Sequence, residues 1–237
     1  HRLGHSATND DFRSYLVHVI GCTITTIIRI HHPKTVEAVG RLNSRTTVIL
    51  VSGNVHCFTR AAAVLLGTSR TFIAENGGVI SWGEGEMELL SDPAICQEAY
   101  RRLKEVYPLA KKDSRYRITD LVVESNFEIQ EAESRLRGWG LEADLVDSGF
   151  AVHIKDRKVD KGRALAKVMD RLGLSQEEVA AVGDSISDLP MFRVAGFRAA
   201  VANGVPELKA KADYVSGEEF GPGFCEIVGY LVAEALV

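Results

Sequence analysis

No two cysteines stand at Cys-x-x-Cys spacing: Cys22, Cys57, Cys96 and Cys225 are scattered along the chain. That excludes a zinc ribbon and argues for reduced thiols rather than a disulfide framework. The seven histidines form no metal-binding pattern. His31 and His32 adjoin, and neighbours on an extended segment face opposite ways. No apolar run approaches the roughly 20 residues a bilayer requires. The first residues lack the charged-then-apolar pattern of a signal peptide. Charge of one sign is missing too, since 28 basic and 32 acidic residues give a net −4. No basic patch invites nucleic acid. These absences make a soluble cytoplasmic protein the expectation, with neither nucleic acid nor membrane as partner.

What is present is an ordinary globular composition, 46% hydrophobic and 25% charged over 237 residues. That suffices for one large domain or one domain carrying an insert. Residues 1–14 are polar and aperiodic and are expected to form a disordered lead. Buried-type strands are expected at 15–20, 47–51, 71–74, 179–182 and 197–201, separated by amphipathic helices. Segment 23–30 is β-branched at every position but Arg29 and is read as a flap or short hairpin. Between about 80 and 154 the character changes. A helix is announced by Ser91-Asp92-Pro93, a second spans 127–136, and Asp147-Ser148-Gly149 turns a hairpin. The expected organisation is a core domain of 15–79 and 155–237, with 80–154 inserted as a small α+β domain. Strands alternating with helices of this length predict an α/β fold built on a doubly wound parallel sheet.

Chemistry-bearing residues fall at strand ends and helix starts. Gly183 lets the chain turn out of a buried strand, so that Asp184 sits at its carboxyl end and Asp188 follows four residues later. Ligands of open α/β sheets gather at such ends, and paired carboxylates suit a hard cation such as Mg²⁺. The plain alternative is a turn residue and a helix N-cap. Ser52-Gly53-Asn54 ends another strand before a helix, as either a phosphate cradle of hydroxyl and backbone N–H groups or a simple N-cap. Lys161 opens a helix with the charge its macrodipole disfavours, which points to a ligand. Asn76-Gly77-Gly78 reads as a turn with positive φ. Together these residues predict a site for a phosphate with a divalent cation.

Val51-Ser52-Gly53-Asn54, Ala74-Glu75-Asn76-Gly77-Gly78, Asp160-Lys161-Gly162 and Gly183-Asp184-Ser185-Ile186-Ser187-Asp188-Leu189-Pro190-Met191 resemble successive motifs of the haloacid dehalogenase superfamily. Their order and spacing are similar to its Cof-type branch, and within it to the archaeal phosphoglycolate phosphatases. The resemblance covers roughly residues 15 to 237. It implies a Rossmann-like core with a cap inserted after the third strand, and Mg²⁺ held by Asp184 and Asp188. It also implies that Ser52, Gly53, Asn54, Asn76 and Lys161 bind the substrate, with Ser52 and Lys161 on the transferring phosphoryl group. The implied activity is Mg²⁺-dependent hydrolysis of a small phosphorylated metabolite, best matched by 2-phosphoglycolate, by a monomer or homodimer. A sugar phosphate is the alternative substrate.

One departure is large. The family's first motif is Asp-x-Asp-Gly-Thr, in which the first Asp attacks phosphorus and the second protonates the leaving oxygen. Here Val19 stands at the nucleophile's place and Gly21 at the acid/base's, although Thr23 agrees. Neither side chain can perform that chemistry. His18 and Cys22 have the wrong register, and Asp10 and Asp11 lie a strand away. Gly40 inside a helix and Thr46-Thr47 before a strand are odd as well. This clustering in the first fifty residues favours an altered copy of an active enzyme, or an error in the recorded sequence, over a natural pseudo-enzyme. The rival reading is a catalytically dead module that binds phosphoesters.

Overall fold

The computed structural model describes residues 17–20, 33–83, 85–112, 115–148, 151–234 and 236. The expected lead at 1–14, the segment 23–30 and Gly21 lie outside the described residues.

The larger sheet has eight strands in the order β11-β10-β9-β1-β2-β3-β4-β5. Strands β1 (Val17–Ile20), β2 (Val48–Val51), β3 (Thr71–Ala74), β9 (Val179–Gly183), β10 (Phe197–Ala200) and β11 (Tyr214–Val215) run parallel. Strands β4 (Val79–Trp82) and β5 (Met87–Leu89) continue from β3 as antiparallel neighbours. Because β-strand side chains alternate, Val48 and Leu50 face one core layer and Ile49 and Val51 the other. Helices α1 (Pro33–Asn43), α2 (His56–Leu66) and α8 (Phe220–Ala233) cover the first face through Leu42, Ala62, Phe224 and Ile227. Helices α5 (Lys161–Leu172) and α6 (Leu189–Phe192) cover the second through Leu165, Val168 and Met191. Both faces are therefore apolar, which explains why β2 and β9 read as unbroken hydrophobic runs. The short helix α7 (Pro206–Lys209) follows β10.

The smaller sheet is antiparallel, ordered β6-β8-β7, from Leu121–Val123, Val152–Asp156 and Ala143–Asp147. Helices α3 (Pro93–Lys104) and α4 (Ile129–Gly138) pack on it with a core of their own, including Leu103, Leu136, Leu145 and Ile154. Asp92 caps α3 by accepting from Ala94 N at 2.9 Å, as the Ser-Asp-Pro start predicts. The boundary expected at residue 80 falls inside β4, which pairs with β3, and the return expected at 155 falls inside β8. Alternating strands look alike from either sheet; pairing alone assigns them. Helix α8 begins at Phe220, with Gly221 and Gly223 buried in its first turn.

Candidate active site

The loop after β2 is built inward. Ser52 is fully buried, and its Oγ accepts the Asn54 N–H at 3.0 Å. Ser52 is therefore not the N-cap of α2, whose cap position is Val55. Nor is the N-terminus of α2 an open cradle. The Glu75 carboxylate already approaches the His56 N–H at 3.4 Å. The loop is sewn to the turn after β3, with Glu75 N donating to Asn54 O at 2.9 Å and Asn76 N to Ser52 O at 3.2 Å.

That turn, Glu75–Gly77, carries three successive positive φ angles, at Glu75 (52°), Asn76 (56°) and Gly77 (100°). The positive φ expected of this turn is found at Asn76 and Gly77, while Gly78 lies at −68°. Gly78 is needed for space instead. A Cβ there would lie 2.1 Å from Thr119 Oγ1, and one at Gly77 would lie 2.4 Å from Asp160 O. Positive φ at a non-glycine residue is strained. Glu75 is held there by its carboxylate, which accepts from Ile118 N (2.9 Å), Thr119 N (2.7 Å) and Thr119 Oγ1 (2.8 Å). The turn is thus the crossing point of the large sheet, the loop entering β6 and the loop opening α5.

Lys161 at the start of α5 is 1% exposed. Its Nζ donates to Asp188 Oδ1 at 2.7 Å and to Ser187 Oγ at 2.9 Å, so the buried cation has a buried counter-charge. Asp160 caps the same helix through Arg163 N at 2.8 Å. Gly162 lets the helix approach Pro190, whose carbonyl oxygen would lie 2.2 Å from a Cβ.

Asp184 and Asp188 are brought together but play unequal parts. Asp188 is fully buried, and its Oδ2 accepts from Asp184 N, Ser185 N and Ser185 Oγ at 2.9–3.0 Å while Oδ1 holds Lys161. Both its oxygens are engaged. Asp184 Oδ1 is buried and has no hydrogen-bond partner among the described residues. Burial, with the Asp188 charge added, pushes Asp184 up to about 6. Burial would push Asp188 the same way, but the Lys161 charge and hydrogen bonds outweigh it and hold Asp188 below the carboxylate norm. A desolvated carboxylate oxygen without a donor is where a cation fits. No group of three or more His, Cys, Asp or Glu side chains able to hold a metal occurs among the described residues.

Two half-sites result: Ser52, Gly53, Asn54 and Asn76 in one, Lys161, Asp184 and Asp188 in the other. They meet at Gly77, where a Cβ would lie 3.0 Å from Lys161 N. Strand β1 runs between them, with Val19 in register with Ile49 on β2 and Ala181 on β9. The carboxyl end of β1, at Ile20, therefore lies between the strands that lead into the two half-sites.

Four site residues carried no recognisable signal in the sequence. Glu75 lay within a quoted motif but without a role. Arg117, Asp120 and His153 come from the loop entering β6 and from β8. Arg117 Nη1 donates to Gly53 O at 3.1 Å and to both Asp120 oxygens at 2.7 and 2.9 Å. Asp120 Oδ2 lies 3.0 Å from His153 Nδ1, which is also 3.3 Å from Asn76 Nδ2. Burial alone would raise Asp120; His153 and Arg117 together hold it below its ordinary value. With Asp120 ionised, Nδ1 of His153 is the protonated nitrogen, and it donates to the carboxylate.

A family profile described as haloacid dehalogenase-like hydrolase matches residues 129–220. A phosphoglycolate phosphatase of Methanothrix thermoacetophila is 46% identical over 91% of this chain and 95% of its own length. One of Archaeoglobus fulgidus is 43% identical over 88% of this chain and 92% of its own. A solved structure from Thermoplasma acidophilum superimposes with a TM-score of 0.82 at 22% identity, covering 94% of this chain and 99% of that one. Another, from Thermotoga maritima, gives 0.73 at 19% identity over 91% and 97%. No helix among the described residues is long and apolar enough to cross a membrane. With the relatives aligned over nearly their whole length, the chain belongs to the haloacid dehalogenase-like hydrolases and is of their phosphatase type.

Proposed function

We propose that the site takes a small phosphomonoester together with Mg²⁺, and that its parent reaction is hydrolysis of 2-phosphoglycolate to glycolate and phosphate. The observation that carries this reading is Asp184 Oδ1, buried without a donor beside the Lys161–Asp188 pair. Asp184 would hold the cation directly. Asp188, with both oxygens engaged, would orient the Asp184 backbone and Lys161. When bound, Mg²⁺ would neutralise phosphoryl charge. Lys161 adds a fixed positive charge at the start of α5, and the Ser52-Gly53-Asn54 loop orients the phosphoryl oxygens. The smaller sheet with α3 and α4 acts as a cap, and the partner is a small metabolite.

A second reading, a binding module without turnover, is favoured by Val19, which lies in β1 between the half-sites. Phosphate release from 2-phosphoglycolate with Mg²⁺ separates the two. The chain as written is compared with the Val19→Asp, Gly21→Asp double variant. Turnover in the double variant alone is the expected result. Turnover in the chain as written would place the nucleophile elsewhere. A folded, phosphate-binding double variant that stays silent would establish the binding module. Faster release from sugar phosphates in the same assay would replace 2-phosphoglycolate as substrate.

A further inference from the structure

The Arg117 side chain is 8% exposed and lies against the middle residue of the Ser52-Gly53-Asn54 loop. All its hydrogen bonds, to Gly53 O and to Asp120, are made by one nitrogen, Nη1. Nε and Nη2 have no hydrogen-bond partner among the described residues. The side chain is not fully enclosed and keeps part of its surface exposed. A guanidinium carries five donors in a planar fork. An arginine buried for structure alone normally engages them.

The support behind Arg117 is unusually complete. Asp120 is 1% exposed and bridges Arg117 to His153. The loop carrying Arg117 and Asp120 is pinned to the large sheet by Glu75 through Ile118 and Thr119. The guanidinium is therefore fixed in place, with one edge engaged and one edge open, next to the loop assigned to the phosphoryl group.

We infer that Arg117 is a specificity residue whose open edge receives the carboxylate of the substrate, while Asp120 and His153 are positioning residues that aim it. The inference rests on the phosphoester reading above. The chemistry follows from shape. A planar carboxylate matches the arginine fork with two parallel N–H···O bonds, which a lysine cannot reproduce. In 2-phosphoglycolate one methylene separates the ester oxygen from the carboxylate, so an anion reader must sit close to the phosphoryl loop. Arg117 touches that loop.

Because the chain as written lacks the first-motif carboxylates, ligand affinity can be measured directly by calorimetry with Mg²⁺. The probes are 2-phosphoglycolate, ethyl phosphate (a methyl in place of the carboxylate) and inorganic phosphate. The chain as written should prefer 2-phosphoglycolate to ethyl phosphate by at least roughly 10-fold, the size of one charge-assisted hydrogen bond. Arg117→Gln should bring that ratio close to one, and Arg117→Lys should not restore it although it keeps the charge. Circular dichroism checks that each variant is folded, and the lysine variant decides if the glutamine variant is not. An unchanged ratio in the folded variants, or no preference in the chain as written, would overturn the inference. Failure of all three ligands to bind the chain as written would instead overturn the phosphoester reading beneath it.

Discussion

Among the described residues two lysine or arginine side chains are paired with a carboxylate in the interior, and the two pairs are built differently. Lys161–Asp188 joins the start of α5 to the turn after β9, and its side chains are 1% and 0% exposed. Arg117–Asp120 lies within one loop, three residues apart, at 8% and 1%. In the first pair the carboxylate accepts four donors, and both its oxygens are committed within the fold. In the second the carboxylate is committed but the cation keeps an open edge. Burying charge is expensive unless it is paired and hydrogen-bonded. A closed pair serves to hold backbone and neighbouring groups in place, and an open one leaves a desolvated charge for a ligand.

Breaking the closed pair should have the largest effect. Lys161→Met leaves Asp188 as an uncompensated buried carboxylate, and unfolding in urea should show a loss of about 3–5 kcal/mol. Phosphate binding should vanish with it. Breaking the open pair should be milder. Asp120→Asn keeps the Arg117 contact to Gly53 O and leaves the guanidinium an edge near solvent, so a loss of about 2 kcal/mol is expected in the same titration. If Asp120→Asn costs as much as Lys161→Met, the two pairs are equivalent and the contrast is lost.

A third test separates Asp184 from Asp188 by pH. Asp184 is raised from 3.8 to about 6, so between those values the folded chain holds a proton that the unfolded chain has lost. Stability of the metal-free chain should therefore fall as pH rises through that window and level off above it. Mg²⁺ on Asp184 offsets this penalty, and the proton competes with it below about pH 6. The Tm gain on adding Mg²⁺ should be clear at pH 7.5 and much reduced at pH 5. Asp184→Asn should abolish the gain at both. A gain equal at the two pH values would remove Asp184 as the cation's ligand.

Much of the fold was legible because its signals are local. Pro33 opens α1 and Asp92-Pro93 opens α3, Gly67 and Gly173 close α2 and α5 with φ of 66° and 69°, and β9 is the expected run 179–182 extended by Gly183. Caps, turns and apolar periodicity act within a few residues, so they can be read in order along the chain. The candidate residues Ser52, Asn76, Lys161, Asp184 and Asp188 were legible for the same reason, because strand ends and helix starts are local features. The missing carboxylates at Val19 and Gly21 are a fact of the sequence alone.

Tertiary structure decided the rest. It assigned β4 and β5 to the large sheet, since pairing depends on a neighbour and not on the strand's own alternation. It closed Asp188 and left Asp184 open, two carboxylates with similar sequence surroundings, because Lys161, 27 residues away, reaches only one of them. It also brought Arg117 to Gly53 across 64 residues and His153 to Asp120 across 33. No local pattern marks such residues, because what makes them a site is desolvation and mutual distance, and both exist only once the two sheets have met.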